Sequence, residues 1–352
     1  MKIKVTKLPK SLMEISVVVD EKEFESYHDK GFKRVQETVE VDGFRKGNAT
    51  EESIIKKYGE MIVLEEMANQ ALRDAYVKAI EDEKISPITE PQVVITKLAK
   101  GNPLEMTITV PVMPDVTLPS YKKLAKEATK EEEPVVVTDK DIEDVIDELR
   151  KGRATQHAHE HEEHDHSDPN HTHDVKPEDF PALTDEFAQS FGGDFKTVAE
   201  LKTKVGENLK LEKEQKVREK RRTAIVEKII AEAKADVPDV LVEGELNSML
   251  AQMRADITRF GGTWEEYLAH TKKTEEEIKA DWLTDAMKRT MSQLVLHKIA
   301  EAEKLTATDE EIEVELVRLL ATVQDADEAR AKNYLYQALT NEKVLKFLEE
   351  TK

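Results

Sequence analysis

Between Thr155 and Phe180 the chain carries seven histidines, eight acidic residues and a single lysine, with almost no apolar side chain to bury. Such a stretch cannot build a core, because the apolar area that would offset ordering entropy is missing, and it reads as disordered. It therefore divides a chain of 352 residues into two parts, each of which must find its own core. The two parts differ in periodicity. Before the tract, β-branched and partly alternating segments are mixed with helical ones; after Pro181 nearly everything follows the helical repeat.

In the first part, Met13-Glu14-Ile15-Ser16-Val17-Val18-Val19 predicts a strand. From Asp20 a helix is expected to run toward Glu40. A second begins after Thr50, with Glu51 and Glu52 in its first turn, and continues to about Glu83 with a kink at Gly59. Residues 91–98 and 104–112 are β-rich and flank Lys100-Gly101-Asn102-Pro103, a turn composition, so they should pair as a hairpin. An α+β domain over residues 1–115 follows. Beyond Pro134 the pattern turns helical: Thr138 is the expected N-cap, and Ile142, Val145, Ile146 and Leu149 form one apolar stripe on a helix ending near Gly152.

The second part predicts a short helix from Leu183 to Phe191-Gly192-Gly193, a long one over 198–235, then helices over 238–260, from Thr263, over 274–303 and 308–321, with shorter ones to Lys352. Thr274-Glu275-Glu276-Glu277 has capping-box spacing. The basic run at 216–222 is interrupted by acidic residues and reads as a solvated helix face rather than a nucleic-acid patch.

Residues 42–47, Asp-Gly-Phe-Arg-Lys-Gly, set an aromatic and two cations between two glycines. Glycine enters positive φ freely, so the segment reads as a tight loop with Phe44-Arg45-Lys46 at its tip. That tip suits a partner offering an apolar pocket and anionic groups together, such as RNA with bound protein; a surface turn with an incidental Phe is the competing reading. Charge sharpens the point. The whole chain carries a formal −21, which repels nucleic acid in bulk, but residues 1–58 hold 12 Lys and Arg against 11 Asp and Glu. A nucleic-acid contact must then be local.

The stretch Val41-Asp42-Gly43-Phe44-Arg45-Lys46-Gly47 resembles the ribosome-binding signature of the bacterial trigger factor family. Helix, loop, long helix and hairpin follow in an order similar to that family's N-terminal domain. Phe260-Gly261-Gly262, Tyr267-Leu268, residues 273–277 and Thr308-Asp309-Glu310-Glu311-Ile312 resemble its C-terminal domain. The resemblance implies an α+β ribosome-binding domain (1–115), a connecting segment and linker helix (116–153) and a mostly helical, elongated chaperone domain (178–352); between them composition, not the resemblance, gives a disordered His- and acid-rich linker (154–177). It implies as partners the large ribosomal subunit near the exit tunnel and nascent or unfolded polypeptides, no cofactor, and a monomer–dimer equilibrium off the ribosome. Gly43, Phe44, Arg45, Lys46 and Gly47 become the ribosome-binding residues. Asn48, Ala49 and Thr50 depart from the family, which commonly has a further basic residue and a proline there, so a less rigid loop is expected.

The family inserts a peptidyl-prolyl isomerase domain where this chain has residues 154–177, too few and too polar for a core, so isomerase activity should be missing. As a coil, 24 residues reach ~27 Å. No phosphate-binding glycine loop points to ATP, and His270 and His297 lie on helices without an evident nucleophile. Binding is then the mechanism. Met249, Met253, Met287 and Met291 recur at i, i+4 on two helices and are candidates for contacting unfolded clients, core packing being the competing reading. His157, His159, His161, His164 and His166 are a low-specificity candidate for binding Ni²⁺, Cu²⁺ or Zn²⁺. A ribosome-independent holdase and a metal-binding protein are the alternative functions. The start of the chain lacks a signal-peptide core and no apolar run approaches a membrane span, so a cytoplasmic protein without membrane contact is expected.

Overall fold

The computed structural model describes residues 1–129, 134–161, 180–192, 195–322 and 327–351, with side chains given except at 156–161. Four strands, β1 (Lys2–Leu8), β2 (Leu12–Val19), β3 (Gln92–Lys97) and β4 (Leu104–Pro111), form one antiparallel sheet in the order β1-β2-β4-β3. The expected hairpin is present, with Val94 opposite Thr107. Along β2 and β4, Ile15, Val17, Val19, Leu104, Met106, Ile108 and Val110 are buried, so every second residue faces the core. β1 is not among the expected strands, although Lys2-Ile3-Lys4-Val5 alternates; its lysines suit an edge strand, where they discourage pairing with other chains.

The core side of the sheet is covered by α4 (Met61–Glu83), which buries Val63, Leu64, Met67, Ala68, Ala71, Ala75 and Ala79. The helix expected from Asp20 is broken at Ser26 and Tyr27 into α1 (Glu21–Glu25) and α2 (His28–Thr38). Gly31 lets α2 lie directly on α4, since a Cβ there would meet the Met67 backbone nitrogen at 2.9 Å. The second expected helix is also two. α3 (Glu51–Tyr58) stops at Gly59, whose φ of 86° terminates it rather than kinking it, and α4 starts afresh.

Contacts divide the chain into two compact units, Met1–Pro119 with Ile230–Asn341, and Ser120–Ile229 with Glu342–Lys352. This differs from the contiguous helical domain expected over 178–352. In the first unit Thr117 and Lys234 form a β-bridge, exchanging N–H···O bonds of 2.8 and 3.2 Å. The β1–β2 turn adds to it: Lys10 and Ser11 donate backbone N–H to the Asp236 carboxylate, and Lys10 Nζ lies 2.7 Å from Asp239. The unit also contains α9 (Asp239–Arg259), α10 (Trp264–Thr271), α11 (Glu275–Glu303) and α12 (Asp309–Thr322). α9 and α11 meet through Val242, Leu246 and Ala286. The capping boxes of α10 and α11 are formed by Thr263 with Glu266 and Thr274 with Glu277.

The second unit holds α5 (Tyr121–Thr129), α6 (Asp139–His161), α7 (Asp185–Gln189) and most of α8 (Val198–Glu232), around Ile146, Phe187, Ala188, Leu201 and Val205. Thr138 caps α6 as expected. The helix does not end near Gly152. It runs on to His161, because one helical glycine costs only ~1 kcal/mol and tertiary contacts flank it: Arg150 Nε donates to the Pro181 carbonyl at 2.8 Å and Arg153 to the Ser190 carbonyl at 2.6 Å. The first residues of the expected disordered linker are therefore helical, and 162–177 lie outside the described residues. In place of several short helices at the end, α13 (Glu328–Glu350) is a single helix of 23 residues.

Candidate functional site

The loop between α2 and α3 exposes its tip and fixes its base. Gly43 and Gly47 have φ of 85° and 87°, and a Cβ on either would touch nothing, so conformation rather than space requires glycine at both. Phe44 is 41% exposed, a large apolar ring in solvent, and Arg45 and Lys46 beside it are exposed and make no ion pair among the described residues. The turn is closed by Phe44 N–H to the Val41 carbonyl (3.0 Å) and Asn48 N–H to the Arg45 carbonyl (2.9 Å).

Below the tip, Ala49 is buried with Val35 and Ile54 in a small apolar cluster, and Thr50 accepts the Ser53 N–H as the N-cap of α3. Ala49 and Thr50 thus seat the loop on the lobe, while Asn48 is exposed. Gln36 Nε2 donates to the Ala49 carbonyl at 2.7 Å, and the Glu40 carbonyl accepts from Tyr58 Oη at 2.6 Å and Lys57 Nζ at 3.0 Å. No periodicity marks these donors, so sequence reasoning passed over them. It also passed over His28, whose Nε2 lies 3.0 Å from Glu51 on the neighbouring helix.

The four methionines do not share one place. Met287 and Met291 line an open groove of about 1270 Å³ with Val242, Leu246 and Leu283, rimmed by Lys10 and Asp236. Met249 and Met253 line a second groove of about 690 Å³ with Ile257, Trp282 and Phe260, whose ring is 86% exposed. None of the four is buried, and Met249 packs against the α9–α11 contact while keeping surface open. Met253 and Met291 are likewise half-buried, and Met287 is exposed. Thioethers at such grooves adapt to varied apolar shapes.

The basic run on α8 is only partly solvated. Arg222 holds Glu342 bidentately at 2.7 Å and Glu349 at 3.1 Å, both on α13, and Arg218 adds a second guanidinium to Glu349. Burial alone would raise the Glu349 carboxyl, but the two guanidiniums outweigh it and hold it below the usual glutamate value; Glu342 is lowered first by its bond to Arg222. Of the histidine tract, His164 and His166 lie outside the described residues, as do the side chains of His157, His159 and His161. Among the described residues no cluster of three or more His, Asp or Glu is arranged to hold a metal, and no helix is long and apolar enough to cross a membrane.

An α+β lobe presenting an anchored aromatic and cationic loop, and helices carrying open apolar grooves, are the features of a protein that acts by binding rather than by catalysis. Residues 1–149 match the family described as "Bacterial trigger factor protein (TF)" and residues 197–352 match "Bacterial trigger factor protein (TF) C-terminus". The chain belongs to the bacterial trigger factor family, whose function is that of a ribosome-associated chaperone. It is 27% identical over 430 residues to "Trigger factor" of Clostridium tetani (strain Massachusetts / E88), covering 99% of this chain and 98% of that protein. With "Trigger factor" of Clostridium botulinum (strain Hall) it shares 26% identity over 426 residues, covering 100% and 99%. A solved structure described as "Promiscuous Substrate Recognition in Folding and Assembly Activities of the Trigger Factor Chaperone" has the same fold, with a TM-score of 0.55 at 17% identity over both whole chains. Both alignments, at 430 and 426 residues, are longer than the 352 residues of this chain, and the two family matches leave residues 150–196 between them.

Proposed function

We propose that the chain docks on the large ribosomal subunit near the exit tunnel through Phe44, Arg45 and Lys46, held between Gly43 and Gly47, and that the helical part holds nascent and unfolded polypeptides without ATP. The observation that carries this is the tip itself: an aromatic and two cations, exposed and without internal ion pairs among the described residues, on a base that is hydrogen-bonded and partly buried. A folded lobe gains nothing from that arrangement; a partner with anionic groups and an apolar pocket does. Clients are held in the two grooves, where Met249 and Met253, and separately Met287 and Met291, offer adaptable apolar surface inside a charged frame. The work is done in the cytoplasm, and prolyl isomerisation is not part of it, since residues 154–177 lack the apolar content of an isomerase core.

The test is co-sedimentation of the full chain with ribosomes. Changing Phe44, Arg45 and Lys46 together to Ala abolishes binding while circular dichroism and the unfolding midpoint stay as in the wild type, because the three side chains add little to the core. Wild-type binding falls as salt rises, through the two cations. Undiminished co-sedimentation of the triple variant at physiological salt sinks the reading.

A further inference from the structure

We propose that Gln36, Lys57 and Tyr58 are positioning residues for ribosome docking: they grip both stems of the loop and so present its tip in one geometry. This inference rests on the docking reading above and adds to it the device that makes a short, exposed loop a defined recognition element.

The three donors bracket the tip. Ahead of Gly43, the Glu40 carbonyl accepts from Tyr58 Oη (2.6 Å) and Lys57 Nζ (3.0 Å), and Lys57 Nζ also lies 3.3 Å from the Asp42 carboxylate. Behind Gly47, the Ala49 carbonyl accepts from Gln36 Nε2 at 2.7 Å, while the Gly47 N–H donates to the Gln36 carbonyl at 3.1 Å. Gln36 therefore holds the second stem by side chain and backbone together. The bonds from Tyr58, Lys57 and Gln36 to the Glu40 and Ala49 carbonyls end on the loop's backbone, so they restrain its path whatever its side chains do.

These residues add little to the core of the lobe. Tyr58 is 42% exposed, Lys57 is exposed and Gln36 is half-buried, whereas the apolar seat beneath the loop is Val35, Ala49 and Ile54. Their bonds are thus spent on conformation. Two glycines at positive φ widen the range of paths open to the unrestrained tip, and a partner that binds one path pays for selecting it: the apparent affinity falls with the fraction of molecules in that path. Tying both stems raises the fraction.

The mechanism has a signature that separates positioning from contact. Tyr58→Phe and Gln36→Met remove the donors without changing charge, so the number of phosphates neutralised in the complex is unaltered. Ribosome affinity drops while the slope of log K against log salt stays at the wild-type value; removing a contacting cation instead reduces the slope by about one per charge.

The experiment titrates ribosomes with the full chain over a salt series, comparing wild type, Tyr58→Phe, the Tyr58→Phe/Gln36→Met double variant and the Phe44, Arg45, Lys46 triple Ala variant. The double variant is expected to bind about tenfold more weakly, as two lost net hydrogen bonds allow, with unchanged salt slope, an unfolding midpoint lowered by no more than those two bonds contribute, and faster amide exchange at Gly47 and Asn48. Tyr58→Phe alone, which keeps its ring, shows a smaller loss in the same direction and carries the test if the double variant folds poorly. Wild-type affinity in the donor variants, beside a triple variant that has lost binding, overturns the positioning role alone. A triple variant that still binds overturns the docking reading and this inference with it, and a reduced salt slope in the donor variants shows contact rather than positioning.

Discussion

Gly47 shows how much of the loop one residue carries. Its φ of 87° is a conformation that an L side chain resists, and since a Cβ there would meet nothing, the whole penalty of substitution is conformational. Left-handed backbone costs most residues roughly 1–2 kcal/mol, and asparagine less. Gly47→Val is therefore expected to weaken ribosome binding about 5- to 30-fold, Gly47→Asn clearly less. The measurement is ribosome co-sedimentation across the two variants; equal, wild-type binding by both removes the strain argument. Gly47 is legible in the sequence because glycine enters positive φ freely, whereas Lys10, Ser11, Lys84, Lys272 and Lys304 take positive φ with no such mark. Gln36 and Tyr58 are not legible either, since a side chain reaching a distant carbonyl leaves no spacing to read. Ala49 is an intermediate case: in the sequence it is a small residue without a mark of its own, and only the cluster with Val35 and Ile54 gives it a place.

At the scale of elements, start signals were readable and stop signals less so. Thr50, Thr138, Thr184, Thr263 and Thr274 all cap helices where hydroxyl residues precede apolar periodicity. Gly59 ends a helix and Gly152 does not, because the first takes positive φ and the second remains helical between anchored arginines. The packing of α8 on α13 was invisible in the same way: a basic run reads as solvated until Glu342 and Glu349 arrive from over a hundred residues away. Their carboxyls are held below the usual glutamate value of 4.5. A depressed folded pKa contributes stability that is present above the unfolded value and lost as pH falls through the folded one. Glu349→Gln is expected to destabilise the chain by about 2 kcal/mol at pH 7, less than a fully buried pair because Glu342 and Arg218 are half exposed. That penalty shrinks as pH falls below 4.5, where the wild type loses the same charges. Urea unfolding of both proteins at pH 7 and pH 4 reads the difference; a penalty that grows on acidification contradicts the assignment.

At the scale of the molecule, the tie between the N-terminal lobe and residues 234–239 changes how client holding must be tested. Thr117 with Lys234, and Lys10 and Ser11 with Asp236, make the lobe and α9 to α12 one compact unit, and Lys10 and Asp236 rim the groove that holds Met287 and Met291. A fragment without the lobe loses that rim, so the full chain is the proper subject. A single refolding reaction, with a client whose folding is limited by proline isomerisation and which aggregates when diluted out of denaturant, reads both halves of the proposed mechanism. The chain at stoichiometric excess lowers aggregation without ATP and leaves the rate constant of the slow phase unchanged, since holding sequesters unfolded client but does not lower an isomerisation barrier of ~20 kcal/mol. Met287→Glu with Met291→Glu weakens protection by placing charge where apolar client segments lie, and Met249→Glu with Met253→Glu does so independently, because the two grooves are separate. Protection that survives in all four substitutions combined, in a chain that remains folded, moves client binding away from both grooves. An accelerated slow phase shows an isomerase built from residues other than an apolar core at 154–177.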